Sequence, residues 1–440
     1  MKRFALAAAV TVMAAGSAAT ALAAAAPSRT HHQPAVAPRT RHRRAPTPDP
    51  VVAFNQLLQQ VITAPGAQPP TIHPTRTMAI TQIAVYDAVN GILRQGSPML
   101  FREAGPRHAS AEAAAAAAAR TALDALLPTQ GTVIDAFYAH ALAQMGSTLA
   151  VRAGIRFGER VAHAVLADRA HDGAADTPPV FTPEQGPGEY QLTPPAFAPA
   201  AFTQTGHVTP FVLRSPRQFR PAPPPALSSA RYAADFAEVH SLGELNSTIR
   251  TADETAIGRF WGAAPVWIVW NQIADQAALG MGNSLEQNAR LFALLDTTLA
   301  DGAIALYDAK YADHRWRPIT AITAMDQGNP NTMADPAWLP LANTANDPSY
   351  PGAHAEFSQA AATVLQDVFG TDVFSFSLSN ATVGITRTFD SFSQAADEAS
   401  ASRIFAGQHF RYDEDAGQTL GGQVARFVLA RALVPARRGH

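Results

Sequence analysis

Apolar side chains recur along most of the chain at the three- and four-residue spacing of amphipathic helices. The alanine-dense third segment is a strong helix former and stops before Pro128. Before residue 171 the pattern predicts five helices, over Val51–Ile62, Thr77–Leu93, Ala109–Leu127, Thr132–Ala143 and Thr148–Ala170.

Helical spacing resumes after residue 228 and continues almost to the C-terminus. We expect Thr251 to cap its helix, because Glu254 three residues later completes a capping box. Convincing strand alternation is nearly absent, so the predicted fold class is all-α, with two packed helical bundles forming one large domain. The predicted helices are Ala230–Leu242, Thr251–Trp261, Asn271–Leu279, Leu285–Lys310 with a continuation through Ile322, Ala355–Phe369, Phe389–Ala406 and Glu414–Leu433.

A long proline-rich loop separates the two helical parts, from about Asp172 to Ser228. Prolines crowd this stretch, including the run Pro223–Pro225, and no hydrophobic period persists. A segment of this length without regular structure is usually functional or a linker. We predict an ordered wrap over the helices that roofs the functional site; a linker between two independent domains is the alternative.

The N-terminus has the pattern of a processed export signal. A basic start, an apolar run to about Ala15 and a small-x-small site at Ala21–Ala23 predict a signal peptide over residues 1–26, with an uncleaved membrane anchor as the alternative. Residues 27–48 are rich in Pro, Arg and His and are predicted to be a disordered leader. The helical domain is then 49–437. We expect the protein to be secreted, or held at the cell wall or in the periplasm.

Composition excludes several classes of protein. The 440 residues carry a net charge of −2, which argues against a nucleic-acid partner, and no cysteine, which excludes disulfides. Beyond the signal peptide the sequence has no apolar run long enough to span a membrane, so no membrane association is expected after cleavage. A homodimer remains open.

Three polar clusters stand out from the alanine-rich background, over Lys310–Pro318, Pro348–His354 and Ser402–Asp413. They supply cations and histidines that suit a tetrahedral oxyanion. Lys310 and Arg317 are about two helical turns apart, so both side chains can point the same way. A guanidinium grips two anion oxygens and an ammonium adds a point charge. For this pair alone, a solvated charged face is the alternative.

The second cluster leads into a predicted helix. Gly352 and Ala353 place backbone amides at the helix N-terminus, which is a ready anion site. His354 follows in the first turn, where it can exchange a proton with the bound anion. A helix-capping histidine is the alternative for His354.

The third cluster holds Arg403, His409 and Asp413. His409 and Asp413 are one helical turn apart, so the carboxylate can orient the imidazole. On a continuous helix Arg403 and His409 would lie on different faces. Gly407 between them makes a break possible, which would let both side chains converge.

The order and spacing of the clusters resemble a known family signature. Lys-x6-Arg-Pro, Pro-(Ser)-(Gly)-His and Ser-Arg-x5-His-x3-Asp are shared by vanadium-dependent haloperoxidases and type 2 phosphatidic acid phosphatases. Along most of its mature length the chain resembles the bacterial vanadium haloperoxidases, including Met78–Asn90, Arg250–Thr255 and Trp316–Ile322.

The resemblance implies a vanadate cofactor and roles for six side chains. It makes His409 the covalent ligand of vanadium and His354 the acid–base group. The cations Lys310, Arg317 and Arg403 would neutralise the equatorial oxygens, with Gly352 and Ala353 at the anion and Asp413 behind His409. These six side chains and two backbone positions are the predicted site. The implied partners are hydrogen peroxide, a halide and a small organic acceptor.

Two departures from the family pattern concern this pocket. Gly352-Ala353 replaces Ser-Gly, so one hydroxyl donor is lost, which typically costs about 1.5–3 kcal/mol of anion affinity. Relatives often place an acidic residue after the Phe-Trp doublet, whereas Gly262 follows Trp261 here.

Other functions remain open for the same residues. A soluble acid phosphatase would use His409 to form a phosphohistidine and His354 to protonate the leaving oxygen. A non-enzymatic oxyanion-binding protein and a zinc site from His314, His354 and His409 are further alternatives. We expect halide preference to depend on outer-pocket groups such as Tyr307, Trp316 and Asp347.

Overall fold

The computed structural model describes residues 49–325 and 327–433, all within one compact unit. The predicted signal peptide (1–26), the leader (27–48) and residues 434–437 lie outside the described residues. The described chain forms thirteen α-helices: α1 (Pro50–Ile62), α2 (Thr75–Leu93), α3 (Ala111–Leu126), α4 (Gly131–Met145), α5 (Leu149–Asp168), α6 (Ala230–Gly243), α7 (Ala252–Gly262), α8 (Val266–Gly280), α9 (Leu285–Asp313), α10 (Pro318–Thr323), α11 (Ala353–Phe369), α12 (Phe392–Phe405) and α13 (Arg411–Leu429).

The helical prediction is confirmed, and local signals explain many helix starts. The capping box at α7 is present: the Thr251 hydroxyl accepts the Glu254 N–H (3.2 Å) and the Glu254 carboxylate accepts the Thr251 N–H (2.7 Å). Ser284 and Gln287 form an equivalent box at α9. Within the described residues, none of the helices combines the length and apolar character that crossing a bilayer requires.

One hairpin was missed by the sequence analysis. Strands β1 (Val373–Asn380) and β2 (Ile385–Ser391) pair antiparallel. The predicted helix starting at Phe389 is therefore wrong at its beginning, because Phe389 lies in β2 opposite Phe376 and α12 starts at Phe392. The alternation of Phe and Ser in β1 is a sequence signal for this strand. It buries the apolar side chains on one face, while hydroxyl pairs such as Ser377–Thr388 (2.9 Å) form on the other.

Two bundles share the long helix α9. Helices α2, α3 and α5 form the N-terminal bundle, and α11, α12 and α13 form the C-terminal one, while α9 packs on both α2 and α11. Helix α13 approaches α11 at backbone distance: a Cβ added to Gly417 would lie 2.3 Å from the Gly352 carbonyl, and one on Gly421 would lie 2.2 Å from the Glu356 carbonyl. Any larger side chain would push the two helices apart.

The proline-rich loop is an ordered wrap, as predicted. Its backbone N–H groups at Phe211, Val212 and Leu213 donate to the buried Asp301 carboxylate of α9, at 2.6, 2.8 and 2.8 Å. Further along, the Ala201 N–H donates to the Asn346 carbonyl (2.8 Å). A linker between separate domains is inconsistent with these contacts.

Replacing Asp301 with alanine tests how the loop is held. Burial raises the pKa of Asp301 to about 6, so the group is ionised at pH 7.5. Asp301→Ala would leave three N–H groups without their acceptor and should lower the free energy of unfolding by about 2–4 kcal/mol. Denaturant titration at pH 7.5 measures the loss. The exposed Asp367→Ala in α11 is the control, and an equal loss in both variants would contradict the assignment.

Candidate oxyanion site

A cavity of about 180 Å³ lies where α9, α11 and the α12–α13 connection meet. Two side chains of the wrap, Ala201 and Phe202, complete its wall, so the loop does contribute to the site. The lining combines charged or titratable side chains with apolar ones. The first group is Arg317, Asp347, His354, Arg403 and His409, and the second is Phe202, Val266, Trp267, Tyr307 and Phe357.

The three sequence clusters converge through breaks between helices. Helix α9 ends at Asp313, and Arg317 caps the N-terminus of α10, so Lys310 and Arg317 do not share one helix. His354 is the second residue of α11. Gly407 adopts a φ of 74°, which separates α12 from α13 and places Arg403 and His409 on the same cavity. The predicted break is confirmed.

The contacts of His409 fix which ring nitrogen carries the proton. Its Nε2 lies 2.8 Å from Arg317 Nη1, which can only donate, so Nε2 holds the lone pair. Its Nδ1–H then donates to Asp413 Oδ2 (3.1 Å), which also accepts from the Ser349 hydroxyl (2.6 Å). Burial, followed by nearby Arg317, holds the pKa of His409 well below its usual value. His409 is therefore a neutral imidazole oriented by Asp413.

His354 is also neutral and has the opposite tautomer. Its Nε2 lies 3.1 Å from the Trp261 carbonyl oxygen, which can only accept, so Nε2 carries the proton. Within the described residues, Nδ1 has no hydrogen-bond partner. Burial, followed by Arg403, places the pKa of His354 well below its usual value. The lone pair on Nδ1 is thus available to take up a proton.

Two of the three predicted cations are already paired. Lys310 Nζ donates to the Pro348 and Ser349 carbonyls and lies 3.5 Å from Asp347 Oδ2. Arg317 contacts the Asp347 carboxylate through Nη2 and donates through Nε to the Asp347 carbonyl (2.8 Å). Sequence reasoning placed Asp347 in the pocket but did not foresee this pairing.

Arg403 is the cation with unused donors. Its Nε and Nη1 are buried and have no hydrogen-bond partner in the described part of the chain. Burial lowers the pKa of Arg403 to about 10, so the group stays charged at neutral pH. A Cβ on Gly262 would lie 3.8 Å from Nη1, which shows that the glycine after Trp261 stands beside this guanidinium. The missing acidic side chain leaves Arg403 open to an anion.

Gly352 needs a correction. Its N–H donates to the Asp413 carbonyl (2.8 Å) and Gly352 does not line the cavity, so the predicted direct contact with the anion is wrong; Ala353 does line it. A Cβ on Gly352 would lie 2.2 Å from Glu414 Oε1, which also lies 3.6 Å from His409 Nδ1. Glu414 was missed, because no spacing rule tied it to the motif.

The expectations for Trp316 as an outer-pocket residue and for His314 as a zinc ligand also change. Trp316 is buried in a separate cluster with Tyr232 and Phe410, so its predicted place in the outer pocket is wrong, whereas Tyr307 and Asp347 do line the cavity. His314 turns its Nε2 to the Tyr311 carbonyl. Among the described residues, no three His, Asp or Glu side chains are grouped to hold a metal ion, so the zinc alternative has no support.

Anion binding should weaken as the pH rises through about 8. Burial lowers the pKa of Lys310 to about 8 and raises that of Glu414 to about 8, so above that pH the site loses a positive charge and gains a negative one. Calorimetric titration with sulfate, whose own charge is constant in this range, should show steady affinity below pH 8 and a fall above it. Lys310→Met and Glu414→Gln should each make the fall shallower. A flat profile to about pH 9.5 would contradict these assignments.

Comparison with known proteins agrees with the geometry. Residues 290–436 match a family model described as the VCPO second helical-bundle domain. Vanadium chloroperoxidase from Curvularia inaequalis is 28% identical in an alignment of 240 residues; the match covers 40% of this chain and 39% of that protein's length.

Solved structures extend the likeness to most of the chain. The first bacterial vanadium-dependent iodoperoxidase superposes with a TM-score of 0.78 at 26% identity, over 89% of this chain and 98% of its own. A holo-type bacterial vanadium-dependent chloroperoxidase superposes with a TM-score of 0.64 over 84% of this chain and 95% of its own; at 15% identity this likeness shows the fold alone. Residues 290–436 thus match the second helical-bundle domain of the vanadium chloroperoxidases, and the chain as a whole is similar in fold to bacterial vanadium-dependent haloperoxidases.

Proposed function

We propose that this protein is a vanadate-dependent haloperoxidase that oxidises a halide with hydrogen peroxide. One observation carries the proposal: the unprotonated Nε2 of the neutral His409 lies on the same cavity as Arg403, whose donors are unused. A neutral imidazole nitrogen beside an open guanidinium is the combination that an oxyanion with a Lewis-acidic centre requires.

The residues present fit vanadate. His409 Nε2, which accepts a hydrogen bond from Arg317 Nη1 in this structure, would be its nitrogen ligand once that N–H turned to a vanadate oxygen. Arg403 and Arg317 would donate to its oxygens, and Lys310 would add a positive charge nearby. When bound, vanadate supplies a Lewis-acidic centre that makes hydrogen peroxide an electrophilic oxidant toward halide without a redox change at the metal. Asp413 and Ser349 would keep the Nδ1 proton of His409 in place and so keep Nε2 available.

The remaining cavity residues have roles that follow from their chemistry. His354 would accept a proton from hydrogen peroxide at Nδ1 and return it later, while the Trp261 carbonyl holds the ring. The apolar lining residues, among them Phe202, Trp267 and Phe357, would exclude water and accept a large polarisable halide or the edge of a small organic acceptor. Iodide is the first halide to test, because it is the most readily oxidised and a bacterial iodoperoxidase shares the fold.

Substitution of the two cavity histidines separates binding from chemistry. His409→Ala should abolish detectable vanadate binding and vanadate-dependent turnover, because the nitrogen ligand is gone. His354→Ala should still bind vanadate but lose about 10²–10⁴-fold in kcat, the usual contribution of a general acid–base. Vanadate titration and peroxide-dependent iodination of a phenol measure the two effects, and His314→Ala, outside the cavity, is the control. Failure of the wild type to turn over any halide with vanadate would overturn the proposal.

An acid phosphatase activity is the second candidate, and the tautomer of His409 favours it equally. The unprotonated Nε2 of His409, whose ring Asp413 orients through Nδ1, could attack phosphorus and displace the leaving oxygen, which a protonated His354 would have to protonate. Neutral His354 at ordinary pH makes that second step unfavourable, so we rank it below halide oxidation. Phosphate release from an aryl phosphate, inhibited by vanadate and lost in His409→Ala, would support it.

We also propose that the protein is exported. The basic and apolar pattern of residues 1–26 supports this location. N-terminal sequencing of the mature protein should find a start between residues 24 and 27, and a retained Met1 would contradict it.

A further inference from the structure

We propose that the Asp347 carboxylate is an internal competitor for the oxyanion, occupying donors of Arg317 and Lys310 that a bound anion would otherwise take. The inference rests on the oxyanion site of the proposed function, but it concerns affinity and not the reaction. It assigns to Asp347 a part in deciding which anions bind and how tightly.

The position of the Asp347 carboxylate carries the inference. Its side chain is only 6% exposed and lines the cavity together with His354, Arg403 and His409. Oδ1 contacts Arg317 Nη2, and Oδ2 lies 3.5 Å from Lys310 Nζ. One carboxylate thus spans the two cations with two oxygens, as an edge of a tetrahedral oxyanion would.

The hydrogen-bond count shows what an incoming anion would find. The three hydrogens of Lys310 point to two carbonyls and to Asp347, so none is left for a new acceptor. On Arg317, Nη1 is used by the Gln408 carbonyl (3.1 Å) and by His409, and Nη2 meets Asp347. Arg403 alone among the three has donor nitrogens without any hydrogen-bond partner in the described chain. Because every Lys310 hydrogen has an acceptor, an anion that engages all three cations must displace one of these acceptors, and the carboxylate is the one that does not belong to the main chain.

If Asp347 only held Arg317 and Lys310 in position, removal of its charge would weaken anion binding. The main-chain contacts of the two cations argue against such a role. Arg317 would still be held by the Asp347 and Gln408 carbonyls, and Lys310 by the Pro348 and Ser349 carbonyls, without the Asp347 carboxylate. Its removal therefore leaves both cations in place and takes away a negative charge that repels the ligand.

The experiment compares anion affinity in Asp347→Asn and in the wild type by calorimetric titration, with vanadate and with sulfate. The asparagine amide keeps the size and one acceptor of the side chain but not the charge. Both anions should bind at least about tenfold more tightly to the variant, because one unit of repulsion at contact distance is removed. Asp308→Asn is the matched control. Asp308 lies on the same helix as Lys310 but outside the cavity, and the substitution breaks its ion pair with Arg220. This variant should leave the anion affinity unchanged.

Each outcome decides the question. Equal or weaker binding by a folded Asp347→Asn, or no binding of either anion by both proteins, overturns the inference. If the variant does not fold, a crystal structure of the wild type with vanadate serves instead: Asp347 should have left Arg317 Nη2, and a retained contact overturns the inference. A wild type that binds vanadate but oxidises no halide contradicts the proposed function and leaves this inference intact.

Discussion

The side chains of Lys310, Arg317 and Arg403 are buried around one small cavity. The free-energy cost of removing their charges from water constrains the other groups of the site. Buried ions are tolerated only when opposite charges or hydrogen-bond acceptors replace the lost water. Main-chain carbonyls and one carboxylate do this for Lys310 and Arg317, while Arg403 is left with bare donors. Burial, reinforced by these positive charges, lowers the pKa of both cavity histidines, which are therefore neutral.

This electrostatic arrangement depends on contacts far from the charges. The glycines of α13 allow it to lie against α11 at backbone distance, and that contact sets the separation of the segment before α11 from the segment before α13. Those segments carry Ser349 and His409, whose shared partner is Asp413. On the other side Asp301 fixes the loop that brings Phe202 to the cavity. Local backbone packing therefore governs the distances between the reactive groups.

The sequence predicted most of this, for identifiable physical reasons. Helical periodicity gave the fold class, and capping signals such as Thr251 with Glu254 gave helix starts. The one-turn spacing of His409 and Asp413 predicted their contact, and Gly407 predicted the helix break that brings Arg403 and His409 together. Both rules act over a few residues, so the local sequence is enough to apply them. The pairing of Asp347 with Lys310 and Arg317, the burial of Trp316 and the place of Glu414 could not be predicted. Each depends on how segments distant in sequence pack, which no local pattern encodes.

The crowding at Gly352 has a consequence for how this pocket is related to those of similar haloperoxidases. A Cβ at this position would lie 2.2 Å from Glu414 Oε1, so a serine here requires the buried Glu414 carboxyl group to leave its present position. The serine of the haloperoxidase motif and this position of the Glu414 carboxyl group therefore exclude each other, and the side chains at 352 and 414 are sterically coupled.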